Sequence, residues 1–70
     1  MTPPKKKAKK IFNLYLEEYS GKHPNANKDI AAAHAKAKSL IEVEETIVYS
    51  ELSDKDIIYF QKVKQELNKL

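Results

Sequence analysis

The side chains able to do chemistry are few, and their spacing does not assemble a reactive centre. The chain has no cysteine, which excludes disulfides and thiolate metal ligands. Its two histidines, His23 and His34, have no partner at metal-site spacing and no serine or aspartate placed for a proton relay. Glu42, Glu44 and Glu45 would mostly point apart on a helix, which favours a solvated face. We expect no metal, no cofactor and no enzymatic activity.

A run of lysines near the N-terminus has the clearest chemical consequence. The first ten residues hold five lysines and no acid, whereas residues 11–70 hold eight lysines and ten acids, a net charge of −2. The chain therefore divides into a basic arm, residues 1–10, and a mildly acidic body, residues 11–70. Clustered lysines neutralise nucleic-acid phosphates, and PKKKAKK is typical of a nuclear-import signal. The alternative is a solvated terminus that only aids solubility. The five lysines are Lys5, Lys6, Lys7, Lys9 and Lys10.

Length and composition limit the remaining possibilities. Seventy residues make one small domain, which buries only about 60% of the surface that its unfolded chain exposes. Gly21 is the only glycine, so a glycine-rich phosphate loop is excluded. No apolar run approaches the roughly 18 residues that span a membrane, and no signal-peptide core follows the basic start. We expect an intracellular, nuclear, monomeric protein that makes no membrane contact.

A first helix is predicted from Ile11 to Tyr19. Ser20-Gly21 supplies its C-terminal stop, with a proline just beyond. Two prolines upstream are expected to keep the arm extended until about Lys7 or Ala8. The apolar residues stand at the i, i+3, i+4 and i+7 positions of one helix face, and they are Phe12, Tyr15, Leu16 and Tyr19.

A second helix is predicted to open at Asn27, a good N-cap, with Asp29 in its first turn. The β-branched and aromatic run that ends at Tyr49 favours a strand. A lone strand would have no partner in this chain, so we predict helix to about Tyr49. The expected apolar stripe consists of Ile30, Ala33, Ala37, Leu40 and Ile41.

A third helix is predicted from Ser53, which forms a capping-box-like pair with Asp56, to the last residue, Leu70. Its apolar residues recur at intervals of three and four. Together the three helices predict an all-α domain without strands. The expected core is Phe12, Tyr15, Leu16, Tyr19, Leu40, Ile41, Ile57, Phe60, Val63 and Leu67.

Three stretches, taken in order, resemble the high-mobility-group (HMG) box. KKAKKIFNLYL at 6–16 resembles the opening of that family, KHPNA at 22–26 the linker between helices 1 and 2, and YSELSD at 49–54 the junction before helix 3. The chain departs from the family in having Ala8 for the usual proline and Tyr49 for the usual tryptophan. Helix 2 is also about two turns longer than is usual.

The resemblance implies an L-shaped three-helix fold whose extended arm packs along helix 3 and whose concave face binds the DNA minor groove. Asn13 takes the position of the wedge that such boxes push between base steps. Asparagine is a poor wedge, so weak bending and little sequence preference are expected. The expected nucleic-acid contacts are Lys5, Lys6, Lys7, Lys9, Lys10, Asn13, Lys36 and Lys38.

Two functions therefore compete. The first is a non-enzymatic DNA-binding domain of HMG-box type that is largely indifferent to sequence. The second is a three-helix protein–protein interaction module whose arm serves only targeting or solubility. Lysines of helices 2 and 3 that share a face with the arm would favour DNA, whereas scattered lysines would favour the interaction module.

Overall fold

The computed structural model describes residues 2–70. Within them the chain forms three α-helices and no strand, namely α1 (Pro4–Lys22), α2 (Lys28–Tyr49) and α3 (Asp54–Asn68). The predicted all-α class and the number of helices are confirmed. Each helix packs against the other two, and the molecule measures 42 × 21 × 17 Å. In the described residues, no helix is long and apolar enough to cross a membrane.

The prediction of an extended arm is wrong, because α1 begins at Pro4 and contains all five N-terminal lysines. Proline suits the first turn of a helix, since its missing N–H would have no acceptor there and its φ is already helical. Pro3 has φ −55° and ψ 144°, and its carbonyl accepts the first bond from the Lys7 N–H at 2.9 Å. Ala8 is fully buried, so packing holds this turn in place despite the repulsion between lysines.

The end of α1 lies slightly beyond the predicted stop at Ser20-Gly21. The His23 N–H still bonds to the Tyr19 carbonyl at 2.9 Å, so the helical pattern passes through Gly21 to Lys22. His23 precedes Pro24, and a residue before proline is pushed out of the helical region. The proline, rather than the glycine, therefore ends this helix.

Both predicted N-caps are confirmed. The Asn27 side chain accepts from the Asp29 N–H at 2.7 Å, and the Ser53 hydroxyl accepts from the Asp56 N–H at 3.3 Å. The helical assignment up to Tyr49 is also confirmed. α3 ends at Asn68, which is two residues before the predicted end, and Leu70 is 44% exposed.

The predicted apolar stripe of α2 is rotated relative to the buried one. Small residues at intervals of four face the other helices, and Ile30 and Ile41 are 57% and 52% exposed. Small side chains allow the axis of α2 to approach both neighbours closely, which bulky residues would prevent. Ser39 is buried without penalty because its hydroxyl donates to the Ala35 carbonyl at 2.6 Å. The buried stripe is Ala31, Ala35, Ser39 and Val43.

The core lies where the N-terminal half of α1 meets the other two helices. Of the predicted core, Val63 and Leu67 are fully buried, whereas Ile41 is not part of it. Ala8 and Val43 were not predicted to be core residues, yet they complete the buried cluster. The partly buried residues packed around this cluster are Ile11, Phe12, Leu40, Ile47, Tyr59 and Phe60.

Candidate nucleic-acid interface

The exposed lysines of α1 form a continuous surface over its first two turns. Lys5, Lys6, Lys9 and Lys10 are exposed and Lys7 is half-buried. We call the four exposed residues the lysine face. Successive residues of a helix are separated by roughly 100°, so Lys6 and Lys10 point away from the buried Ala8 while Lys5 and Lys9 lie to one side of them.

The charge of this surface is not neutralised by the rest of the molecule. Within residues 2–70, none of the five N-terminal lysines has a carboxylate within ion-pair distance. No acidic residue lies in the first turn of α1, where the helix dipole adds partial positive charge. The lysine face is therefore a concentrated positive surface with free ammonium groups.

The three ion pairs of the described chain lie elsewhere. Lys22 pairs with Glu18 along α1, Lys69 with Glu66 along α3, and Lys64 of α3 with Glu44 of α2. Three of the eight lysines beyond residue 10 are thus balanced locally. Between Lys10 and Lys22 the helix α1 has no lysine, so on this helix the lysine face ends within the first half.

The start of α1 is anchored to α3 by aromatic residues. The Tyr59 hydroxyl donates a hydrogen bond to the main-chain carbonyl of Thr2. Thr2, Lys7, Tyr59 and Phe60 line one shallow cavity, and the two aromatic rings meet edge to face with centroids 5.3 Å apart. The stem of Lys7 therefore serves packing, and this lysine is less available to a ligand than its four neighbours.

Asn13 lies beside the lysine face. It is exposed and follows Lys9 and Lys10 by four and three residues, which places it one turn further along the same side of α1. Glu17 is one more turn along and is also exposed. A phosphate chain could therefore reach Asn13, but it would meet a negative charge immediately beyond it.

Lys36 and Lys38 do not join this surface. The Lys36 ammonium donates to the main-chain carbonyls of Asn68 and Leu70 at 3.1 and 3.5 Å, at the C-terminal end of α3. Lys38 instead lines a groove with Tyr19 and His34. Lys36 and Lys38 are two residues apart, which on a helix corresponds to a rotation of roughly 200°. Their ammonium groups therefore point to opposite sides of α2.

Two lysines of α3 are better placed than those of α2. Lys55 and Lys62 lie one turn before and one turn after Tyr59, on the side of α3 that reaches Thr2. Both are exposed, and within the described residues neither forms an ion pair. Their spacing around Tyr59 is visible in the sequence, but the contact between Tyr59 and the N-terminus is tertiary.

An acidic side of the α1–α2 pair limits the positive surface. The pKa of Tyr15 is raised above 10.0, first by burial and then by the neighbouring Glu42 carboxylate. Glu18 and Glu45 contribute to the same rise through their charge. Glu18, Glu42 and Glu45 thus place negative charge around the Tyr15 phenol, and these carboxylates would repel phosphate there.

The two histidines converge on one tyrosine, which spacing did not predict. The Tyr19 ring lies 4.6 Å from the His23 ring and 4.4 Å from the His34 ring, between centroids. His23 is one turn after Tyr19, a visible signal, but His34 approaches from α2. No group of three or more histidine, cysteine or acidic side chains in residues 2–70 could hold a metal ion. The arrangement is an exposed aromatic stack.

Similarity to other proteins does not assign a function to this surface. Comparison of the chain with protein-family models, with curated proteins and with solved structures finds no match in any of the three. Its function is therefore argued from its own residues.

Proposed function

We propose that the chain is a non-enzymatic DNA-binding module that holds the phosphate backbone with the lysine face of α1. One observation carries the proposal. Five lysines occupy the first two turns of a helix, and among the described residues none is paired with a carboxylate. Each turn brings like charges together at i, i+4, which destabilises a helix by a few tenths of a kcal/mol per pair. Bound phosphates would relieve that repulsion.

The expected mode of binding is phosphate contact with little sequence preference. Lys55 and Lys62 extend the contact onto α3, and Asn13 approaches base edges where the lysine face meets the minor groove. About four neutralised phosphates correspond to a slope near −4 for log affinity against log salt concentration. The lysine face itself carries no apolar side chain to push between base steps, so bending is expected to be weak.

The proposed binding mode differs from the one that the HMG-box resemblance implies, because residues 4–10 are helical rather than extended. An extended arm follows a groove, whereas a helix presents its lysines on one ridge. The proposed grip is therefore shorter than that of an arm and depends on the folding of α1. A nuclear location remains part of the proposal, and a fluorescent fusion with Lys5, Lys6 and Lys7 changed to glutamine would test it.

Fluorescence anisotropy with a labelled duplex and a labelled four-way junction, at low and at physiological salt, tests the proposal. The decisive variant changes Lys6, Lys9 and Lys10 to glutamine. Its matched control changes three other exposed lysines, Lys22, Lys28 and Lys38, to glutamine. This control removes the same charge from elsewhere on the α1–α2 pair. The slope of log affinity against log salt concentration should become shallower by about 2–3 in the first variant. It should remain nearly unchanged in the second. Equal losses would show that only net charge matters.

The second candidate function is a protein–protein interaction module. It is favoured by a long apolar surface of α2 that no part of residues 2–70 covers, where Ile30, Ile41 and Val48 are 57%, 52% and 69% exposed. On this alternative the lysines serve only targeting or solubility. Binding to both DNA probes that disappears at physiological salt would support it, whereas binding that persists would support the lysine face.

A further inference from the structure

A shallow cavity with two aromatic rings in its lining lies where the start of α1 meets α3. Thr2, Lys7, Tyr59 and Phe60 line it, and its volume is about 220 Å³. That volume is below the roughly 300–1,000 Å³ of sites that enclose a whole drug-sized ligand. The cavity therefore suits one flat ring of a larger molecule that stays mostly outside.

The charge of this cavity distinguishes it from the other cavities. Within residues 2–70, Lys7 is the one charged residue of the lining, and Asp56, three residues before Tyr59, is not part of it. Four other cavities on the surface each include at least one acidic side chain. The Lys7 ammonium forms no ion pair in the described chain. A molecule that carries negative charge would be repelled by those acidic linings but not by this one.

Exposed lysines flank the cavity on both helices. Lys10 of the lysine face lies one turn after Lys7 on α1. Lys55 and Lys62 lie before and after Tyr59 on α3, separated by about 10 Å along the helix axis. These three flanking lysines are exposed, and within residues 2–70 none forms an ion pair. A phosphate backbone held by lysines of both helices would pass over the opening of the cavity.

The rings and polar groups of the cavity match the chemistry of a nucleobase. Tyr59 and Phe60 meet edge to face with centroids 5.3 Å apart, so a base that stacks on one ring meets the edge of the other. The Thr2 carbonyl accepts from the Tyr59 hydroxyl and keeps a second lone pair for a base N–H. Stacking of this kind accepts every base through its π-face, so little sequence preference is expected.

We propose that this cavity receives one unpaired base of a DNA strand whose phosphates the flanking lysines hold. A base inside an intact duplex cannot enter, because it must first be unpaired and unstacked from its neighbours. The site therefore favours single-stranded or locally opened DNA over intact duplex. This inference rests on the proposed DNA-binding function and names the class of DNA that the lysine face holds.

Fluorescence anisotropy at physiological salt compares a labelled oligothymidylate of about ten nucleotides with a duplex of equal length. The single strand is the suitable probe because its bases are unpaired. It should bind at least about fivefold more tightly than the duplex, as stacking of one base on an aromatic ring provides. Tighter binding of the duplex would overturn the base site.

Two variants of Tyr59 separate the contribution of the ring from that of the hydroxyl. Tyr59→Phe and Tyr59→Leu both lack the hydrogen bond to Thr2, but only Tyr59→Leu lacks the aromatic ring. Tyr59→Leu should bind the single strand at least about fivefold more weakly than Tyr59→Phe does, whereas their duplex affinities should agree within about twofold. Tyr49→Leu is the control, since that ring is 82% exposed and lies outside the cavity. Equal single-strand affinities of the two Tyr59 variants would contradict the proposal.

Photochemical crosslinking tests the site in the native chain, so it does not depend on the folding of any variant. A single strand that contains 5-iododeoxyuridine couples under ultraviolet light to an aromatic side chain on which the base stacks. The carbon–iodine bond breaks, a carbon–carbon bond to the ring forms, and hydrogen iodide is lost. Mass spectrometry should place the crosslink on Tyr59 or Phe60. A crosslink found only on Tyr15, Tyr19 or Tyr49 would exclude the cavity as the site.

Failure of the base site and failure of the lysine face can be told apart. Changing Lys6, Lys9 and Lys10 to glutamine should weaken binding of both probes, because both carry phosphates. Equal native affinity for the two probes, with no crosslink on Tyr59 or Phe60, would remove the base site alone. Affinity for both probes that survives the change of the three lysines would remove the lysine-face proposal.

Discussion

The Tyr59 hydroxyl on α3 donates a hydrogen bond to the Thr2 carbonyl, 57 residues earlier in the chain. This contact joins the start of the lysine face to the third helix. Tyr59→Phe should therefore lower the free energy of unfolding by about 0.5–1 kcal/mol. Hydrogen exchange of the Lys7 N–H, which bonds to Pro3, should become faster. Tyr49→Phe is the control, because that ring is 82% exposed; an equal effect there would contradict the anchoring role.

Lys36 should prove to be a structural lysine rather than a DNA contact. Its ammonium binds main-chain carbonyls at the end of α3, where a cation stabilises a helix. Lys36→Met should lower the free energy of unfolding by about 0.3–1 kcal/mol, measured by urea denaturation, and should change duplex affinity less than twofold. Lys38→Met is the matched control for stability. A fall in duplex affinity as large as that caused by changing a lysine of the lysine face would instead indicate that Lys36 contacts DNA.

Alkaline pH should destabilise the chain through Tyr15. Its raised pKa, caused by burial and then by Glu42, means that the folded state keeps the phenol proton to higher pH than the unfolded state. The contribution to stability is complete below pH 10.0 and is lost as the pH rises through the raised value. Urea unfolding at about pH 9 and about pH 11 should therefore show a smaller loss for Tyr15→Phe than for the native chain.

A spectroscopic control accompanies that prediction. Glu42→Gln removes the carboxylate that disfavours the phenolate, so the pKa of Tyr15 should move back toward 10.0. The difference in ultraviolet phenolate absorbance between each chain and its Tyr15→Phe variant follows this titration. An unchanged titration would show that burial alone raises the pKa.

The reassigned core makes a direct prediction about two large aliphatic residues. Leu67 is 0% exposed, and Ile41 is 52% exposed. Leu67→Ala should cost about 2–5 kcal/mol, which approaches the whole stability of a domain this small. Ile41→Ala should cost less than about 1 kcal/mol. Thermal unfolding provides the measurement, and similar costs for the two changes would contradict the observed rotation of α2.

Local signals in the sequence were sufficient to predict α2, α3 and the later part of α1. Asn27 and Ser53 act as caps through bonds that span two or three residues. Val63 and Leu67 belong to a stripe that one helix defines by itself. The lysine run was also predicted, because charge in a short segment is visible without a fold. These features depend only on neighbours within one turn.

The conformation of residues 4–10 could not be predicted in the same way. Repulsion among five lysines argues locally against a helix. Packing of Ala8 into the core and the bond from Tyr59 to Thr2 reverse that preference. Propensities of a few tenths of a kcal/mol per residue are easily overcome by tertiary contacts.

Sequence alone thus determined that this chain is helical, where α2 and α3 begin and that its positive charge is concentrated at one end. Only the tertiary structure decided which side of α2 is buried, because that choice depends on how closely three axes approach. It also separated Lys36 and Lys38 from the lysine face, placed Lys55 and Lys62 beside that face, and left Ile30, Ile41 and Val48 of α2 exposed. Periodicity gives the residues that share a helix face, whereas packing decides which face meets water.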